Sequence, residues 1–434
     1  MTGCVPAADG VATADGARHH PLARGVRTLL VRTGLQRRGA ARRPALLLAA
    51  ALTLSLSLIA CTSAGQPDDG GGLRTGDPVV GAAASQTPAA ELQAGLTHLL
   101  VERVYVIAAA GRAGLSEPAR MDAGEVLDAN SQALAEVLGA TYPGARSPLL
   151  GALRSGDKAQ LVHAAALASG DAAAVARART ALEQAAKDLP AVLQRLVPSM
   201  PMERVAVRLR EDLEAQLTPQ SDQPYTALRT AAGRAVDTAS LLAAAVTADR
   251  SLGTTSTRAA TLRAELTALL TEHVLLVGAL AQELAALPGA APGAGGRGAA
   301  AAQAALDANA RALSMTLGGA YPAAAGPFLA TWTDYLGRLE TYAAGVAAAG
   351  AAPSGELRAA PQTFGQLLAQ HIDGLSPGRI ATDLTPWLNS LLRAVDAAAT
   401  RSPRASSALH RAVADAPPPA AVLAAATAEH LRLR

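Results

Sequence analysis

The sequence predicts an all-α protein, and three observations support that prediction. Only ten of the 434 residues are aromatic (two Trp, two Phe and six Tyr), whereas β-sandwiches and barrels favour aromatic and β-branched residues. From about residue 88 onward Ala, Leu, Arg, Glu and Gln dominate, with Pro or Gly between the runs. Half of the residues are hydrophobic, which excludes wholesale disorder, and two Cys are too few for a disulfide scaffold.

Helix boundaries are marked by capping residues and by proline. The pairs Thr87-Pro88, Ser147-Pro148 and Ser376-Pro377 place an N-capping hydroxyl before a proline at the first helical position. Three prolines at 417–419 predict an interrupted last helix, because proline inside a helix removes an amide donor and costs about 3 kcal/mol. The corresponding stretch 237–240 has no proline, so we expect its helix to continue.

An internal repeat divides the chain into two halves. Three pairs of segments match: 96–104 with 266–274, 127–143 with 306–322, and 226–246 with 407–427. Such self-similarity is typical of tandem structural units. The sequence therefore predicts two homologous helical bundles of about six helices each, at 88–250 and 257–431, joined near 249–258.

Two features shared by the halves have structural interpretations. The Asn of each LDAN segment, Asn130 and Asn309, is expected to cap or tie a neighbouring helix. Tyr142 and Tyr321 each follow a helix-ending Gly and directly precede a Pro. We expect their rings to pack on the core with the hydroxyl outward.

The positive charge of the chain is local. The formal net charge is +3, but residues 1–60 carry +6, so the remainder carries −3. No basic stripe interleaved with aromatic residues is present in the sequence, and we expect no nucleic-acid partner.

An uncharged stretch at 44–60 follows Arg42-Arg43 and ends in the sequence Leu-Ile-Ala-Cys at 58–61. Its length suits the apolar region of a signal peptide and is short for a membrane span. The last four residues resemble the lipobox of bacterial lipoprotein precursors. That resemblance implies cleavage before Cys61 and lipidation of its thiol, with the protein anchored in the cell membrane on the extracytoplasmic face. An ordinary secretory signal or a single-span anchor is the alternative.

The segments on either side of Cys61 complete this prediction. Residues 1–60 are expected to be a signal peptide whose start is over-extended, with Val26 or Val31 as alternative starts, because some forty residues precede the apolar stretch. Residues 61–87, rich in Gly, Ser, Asp and Pro, are expected to be a flexible tether after the lipidated Cys61.

The second half resembles a helical repeat of secreted bacterial proteins. The resemblance is carried by ELTALLTEHVLLVGALA, LDANARAL and LGGAYPAAAGPFLATWTDYLGRLETY, is firmest at 262–346, and extends over about 90–430. Those proteins are often labelled through an attached copper amine oxidase N-terminal-like domain. The resemblance implies a tandem all-helical extracytoplasmic module. No β-rich segment is left for the attached domain, and the Asn-Tyr-acidic cofactor motif of copper amine oxidases does not occur, so no copper activity is implied.

One candidate pocket lies in the second half. His273 and His371 each fall within an apolar stripe at helical spacing, and Trp332 and Tyr335 lie on the helix between them. These four residues are predicted to face one bundle interior, with both histidines largely buried, as a ligand or metal pocket. A pair of core histidines with satisfied hydrogen bonds is the alternative.

The resemblance itself bears on this pocket. The related repeats usually have His at the position of Tyr335, so it implies that a three-histidine site is broken here. The first half departs further, because Arg103 replaces His273, Gly156 replaces Tyr335, and Leu196 lies near the position of His371.

The sequence contains no catalytic motif of the zincin, P-loop, Rossmann or Gly-x-Ser-x-Gly type. We therefore predict a non-enzymatic helical scaffold or binding module of the cell envelope, with no cofactor and no metal. A small-ligand or metal-binding bundle is the alternative. The expected partners are membrane lipid through the acylated Cys61 and an unidentified envelope protein or small ligand. The remaining histidines, among them His98, His163 and His410, are expected to be solvated or half-buried.

Overall fold

The structure is a computed structural model. It describes residues 80–111, 115–217, 224–286, 296–372 and 374–434, all within one compact unit. This described part is helical and contains no strand, which confirms the all-α fold class. The predicted signal peptide, Cys61 and most of the predicted tether lie outside the described residues.

Six α-helices make up the described first half: α1 (Pro88–Ala110), α2 (Glu117–Thr141), α3 (Arg146–Ser169), α4 (Ala172–Leu196), α5 (Met202–Leu217) and α6 (Pro224–Arg250). Eight make up the described second half: α7 (Arg258–Ala285), α8 (Arg297–Gly318), α9 (Pro322–Ala349), α10 (Gly355–Arg358), α11 (Ala360–His371), α12 (Pro377–Ala399), α13 (Ala405–Ala414) and α14 (Pro417–His430). The link between the halves falls at 251–257, within the predicted junction.

Helix starts follow the capping prediction at two of its three positions. Thr87 Oγ1 accepts a hydrogen bond from an α1 amide at 3.2 Å, and Ser376 Oγ does the same for α12 at 3.2 Å. Thr257 caps α7 in the same way at 3.1 Å. Ser147 does not cap α3: the amide of Ala145 already donates to the Tyr142 carbonyl, so the chain is coiling before Ser147 is reached.

The proline prediction is confirmed. The last helical region is broken between α13 and α14, and α14 begins at Pro417, where a missing amide hydrogen is harmless. The first-half helix α6 runs without interruption for 27 residues.

The two halves share part of their core. Helices α1 and α7 pack against each other, and every residue of α7 from Glu272 to Ala281 is buried. The largest apolar cluster joins Val101, Tyr105 and Tyr225 of the first half to second-half residues. A second apolar cluster, which includes Leu96, Leu149 and Val246, lies wholly within the first half, so the arrangement as two homologous bundles and the superposition of the halves stay predictions.

Helix α7 is long and apolar enough to cross a membrane. Its most apolar 18-residue window is 83% buried within the protein. A helix that is hydrophobic on all sides is also what the centre of a helical bundle requires, and α7 occupies that centre.

The prediction for the repeated asparagines is confirmed. Asn130 Nδ2 on α2 donates to a carbonyl of α1 and to Glu102 Oε2, both at 2.9 Å. Asn309 Nδ2 on α8 donates to a carbonyl of α7 at 3.0 Å and to Glu272 Oε2 at 2.8 Å. Each asparagine thus ties the second helix of its half to the first.

The rings of the repeated tyrosines pack on the core, as predicted. Tyr142 and Tyr321 are both buried, and each hydroxyl donates a hydrogen bond within the protein. Tyr142 donates to Asp249 Oδ2 at 3.0 Å, and Tyr321 donates to the Ala426 carbonyl at 3.3 Å. The end of each half lies over the tyrosine, which local sequence alone does not reveal.

The predicted tether is structured at its C-terminal end. Residues Gly81–Gln86 form a 3-10 helix against α14, with a hydrogen bond from the Gly81 amide to the Leu433 carbonyl at 2.9 Å. Gly81 has a φ of +73°, and a Cβ there would lie 2.2 Å from Glu429 Oε2. Because small residues allow this close approach, the expectation of coil up to residue 87 is wrong for 81–86.

Candidate functional site

Three helices bring His273 into an aromatic cluster. The His273 ring centroid on α7 lies 5.0 Å from Trp332 and 5.9 Å from Tyr335, both on α9. Trp387 on α12 lies 5.6 Å away. Trp332 and Tyr335 are three residues apart and therefore share one helix face. The structure thus brings together three of the four predicted pocket residues and adds Trp387, and we call these four residues the His273 cluster.

Two phenylalanines close the His273 cluster. Phe364 on α11 lies 5.0 Å from Trp332 and 5.6 Å from Tyr335, between ring centroids. Phe328 stacks on Trp332 at 5.2 Å. His273 is 0% exposed, and every ring around it is buried.

The polar atoms of the His273 cluster are buried without hydrogen bonds. Within the described part of the chain, no protein group forms a hydrogen bond with the polar atoms of its four side chains. These atoms are His273 Nδ1 and Nε2, Trp332 Nε1, Trp387 Nε1 and Tyr335 Oη. Buried polar groups are nearly always paired, and an unpaired one costs about 1–3 kcal/mol. The expectation of core histidines with satisfied hydrogen bonds is therefore not met at His273.

The His273 cluster is uncharged at neutral pH. Burial lowers the pKa of His273 to about 3, and burial raises the pKa of Tyr335 well above its usual value. A neutral imidazole has one donor and one acceptor nitrogen, and each indole nitrogen is a donor only. The cluster can therefore offer several donors and one or two acceptors to a small neutral group.

His371 differs from its predicted position. It is the last residue of α11, it is half-buried, and no ring contact joins it to the His273 cluster among the described residues. Helix α12 approaches α11 at Gly365, where a Cβ would lie 2.4 Å from the Pro377 carbonyl oxygen. The buried face of α11 is therefore centred on Gly365 and Leu368, and His371 lies at its edge.

Space beside the His273 cluster is small. A cavity of about 20 Å³ touches Trp332 and Phe364, which is room for one water molecule. Within the described ranges no group of three or more His, Cys, Asp or Glu side chains is arranged to hold a metal ion.

Sequence reasoning missed a pair of buried carboxylates between the halves. Glu102 of α1 accepts a hydrogen bond from His410 Nδ1 of α13 at 2.6 Å. Glu272 of α7 accepts one from Arg229 Nε of α6 at 3.2 Å, and another from Tyr105 at 3.1 Å. The repeat alignment pairs Glu102 with Glu272 and Arg229 with His410. Each half thus supplies the base that neutralises the other half's carboxylate.

The two bases differ in how they titrate. Burial opposes a charge on His410, but its hydrogen bond and attraction to Glu102 outweigh burial and raise its pKa. Nearby, burial lowers the pKa of His98, which lies 2.9 Å from Thr271 Oγ1 through Nδ1. Of the two bases, the imidazole of His410 is the type of group whose charge changes near neutral pH.

At the first-half position aligned with His273, the buried side chain is Arg103, and its polar atoms have partners. Arg103 donates to Ser131 Oγ at 3.0 Å and pairs with Asp157, and Ser131 donates to Asp157 Oδ2 at 2.6 Å. The Arg103 and Asp157 side chains are only 12% and 9% exposed. This closed triad leaves Arg103 and Asp157 mutually compensated.

No protein-family model, curated protein or solved structure matches the chain. The resemblance of 58–61 to a lipobox, and of 262–346 to a secreted helical repeat, therefore stay predictions from the residues. The assignment of function rests on the chemistry of the chain itself.

Proposed function

We propose that this chain is a lipid-anchored envelope protein whose helical body acts as a non-enzymatic scaffold or binding module on the extracytoplasmic face of the cell membrane. The observation that carries the proposal is the uncharged stretch 44–60, flanked by Arg42-Arg43 and ending at Cys61. Two acyl chains on one cysteine are sufficient for stable anchoring, whereas one is marginal. The 3-10 helix at 81–86, which is hydrogen-bonded to the C-terminal segment, supports the proposal. The folded helical part then begins at a fixed point about twenty residues beyond Cys61.

The test is lipid labelling and membrane fractionation of two matched variants. Cys61→Ala should abolish incorporation of a labelled fatty acid and release the protein from the membrane fraction. Cys4→Ala is the control, since Cys4 lies in the predicted signal peptide and its loss should change neither result. Unchanged labelling and fractionation of Cys61→Ala would exclude the lipid anchor.

A second candidate function is that of a bundle binding a small ligand or a metal at the His273 cluster. The observation that favours it is the set of buried polar atoms without partners around His273. A bound group that accepts from the indoles and the phenol would remove the penalty of leaving them unpaired.

This second function predicts a bound species in protein purified from its native host. Metal analysis, absorption spectroscopy and native mass spectrometry would detect it. His273→Gln should remove the species, while His371→Gln should retain it, because His371 lies at the edge of α11. If the native chain and both variants carry no bound species, the second function is excluded and the scaffold proposal is the one that remains.

A further inference from the structure

The first half contains a larger cavity than the one beside the His273 cluster. Its volume is about 140 Å³, and residues of α1, α3, α4, α5 and α6 line it. Most of the wall is apolar, formed by side chains such as Leu100, Ile107, Leu153 and Leu182. An enclosed apolar cavity of about 150 Å³ can bind benzene. This cavity has a similar volume, but it is partly open and its wall includes Arg103, Gln160 and Thr238. The first-half cavity therefore has the size of a single aromatic ring.

The aligned positions of the second half carry larger side chains. The repeat alignment places Leu153 at the position of Trp332 and Gly156 at the position of Tyr335. Both Trp332 and Tyr335 are buried rings, whereas Leu153 and Gly156 line the cavity. The aligned positions thus hold aromatic rings in one half and border an aromatic-sized space in the other.

Gly156 contributes no side chain to the cavity. It lies within α3, where glycine is less favourable than alanine. A Cβ added there would meet only Arg103 Nη2, at 4.0 Å. A side chain would therefore fit without a clash, so steric crowding does not account for glycine at this position.

The polar part of the wall defines the ligand further. Arg103 lines the cavity, and guanidinium groups stack favourably on aromatic faces. Its charge is already balanced by Asp157. An anionic ligand would have to compete with that carboxylate, whereas an uncharged ring leaves the pair intact.

We infer that this first-half cavity is a binding site for a small uncharged aromatic molecule of about one ring, stacked beside Arg103 at the positions aligned with Trp332 and Tyr335 of the second half. The site is separate from the His273 cluster and from the lipid anchor, so its test is independent of both proposals.

Benzene and phenol are suitable probes, added to the purified full chain in detergent. The thermal unfolding midpoint should rise with the concentration of either probe. Gly156→Leu places a side chain in the cavity, so this variant should have a higher midpoint without probe and at least a tenfold weaker response to it. Gly151→Leu is the matched control, because Gly151 is exposed on the same helix with open space around it, and its response should equal that of the native chain.

Methyl NMR of the native chain keeps the inference testable if Gly156→Leu does not fold. Benzene protons should show contacts to the methyl groups of Leu153 and Ile107, which line the cavity. The inference is overturned by an absence of any response, by an equal response in both variants, or by contacts confined to other methyl groups.

Discussion

The two halves solve the same problem in opposite ways. At one position of the central helix pair, the first half buries Arg103 and satisfies its charge with Asp157 and Ser131, but leaves a cavity of about 140 Å³. The second half buries His273 among tightly packed rings, but leaves its nitrogens without partners. The first arrangement sacrifices packing and the second sacrifices hydrogen bonding. Both defects lie within one compact unit, whose largest apolar cluster includes residues of both halves.

The largest effect is expected where the first half relies on charge pairing. Asp157→Ala leaves Arg103 buried without its carboxylate and should lower the free energy of unfolding by about 3–5 kcal/mol. Chemical denaturation would measure this loss. Arg154 lies on α3, as Asp157 does, and forms a half-exposed ion pair with Asp128 of α2. Arg154→Ala breaks that pair and should cost no more than about 1 kcal/mol. Similar losses in the two variants would mean that the Arg103 triad is not effectively buried.

The second half should respond in the opposite direction when its polar residue is removed. In protein without ligand, His273→Leu removes two unpaired nitrogens at similar volume and should raise the free energy of unfolding by about 1 kcal/mol or more at pH 7. The pKa of His273 is about 3 in the folded protein and 6.5 for the free side chain. As pH falls from 6.5 towards 3, the unfolded state takes up a proton that the native state excludes, and the native state loses stability. The gain from His273→Leu should therefore grow by about 2–3 kcal/mol at pH 4.5. Destabilisation at both pH values would indicate that an ordered water or bound group pairs His273.

The repeated asparagines offer a finer comparison. Asn130→Ala leaves Glu102 with His410 as its hydrogen-bond donor, whereas Asn309→Ala leaves Glu272 with both Arg229 and Tyr105. Both variants should lose about 1–3 kcal/mol, with the larger loss at Asn130. Parallel denaturant titrations would rank them, and the reverse order would show that Glu272 depends on Asn309 more than its contacts suggest.

The smallest expected effect is a change in pH dependence. His410 has a raised folded pKa, so its contribution is present below the pKa of the free side chain and is lost as pH rises through the folded pKa. Glu102, His98 and Arg411 are the charged or titratable groups that act on it. His410→Arg copies the Arg229 arrangement and should remove this component, by less than about 1 kcal/mol between pH 6 and 8. The measurement is the difference between the slopes of the two stability profiles from pH 6 to 8, and identical slopes would contradict the prediction.

The sequence was informative wherever structure follows from local spacing. Apolar periodicity placed His273, Trp332 and Tyr335 on inward faces, and the prolines at 417–419 marked the break before α14. His371 was misplaced because its stripe also fitted a helix rotated toward Gly365, and only the approach of α12 decides between the two. The pairing of Glu102 with His410 joins residues 308 positions apart, and no local pattern encodes it. The recurrence of Glu102 and Glu272 at aligned positions of the two halves is the sequence signal that marks these carboxylates.

The clamped 3-10 helix has a mechanical consequence. The amide of Gly81 bonds to Leu433, the carbonyl of Ser85 accepts from Arg263, and the amide of Ala259 bonds to the last residue, Arg434. The entry of the chain, the start of α7 and the end of α14 therefore meet at one pole of the body. A pulling force applied at residue 80 would act on α7 and α14 through these hydrogen bonds before it reached the start of α1. The three helices would therefore resist the force together and would not unfold one after another.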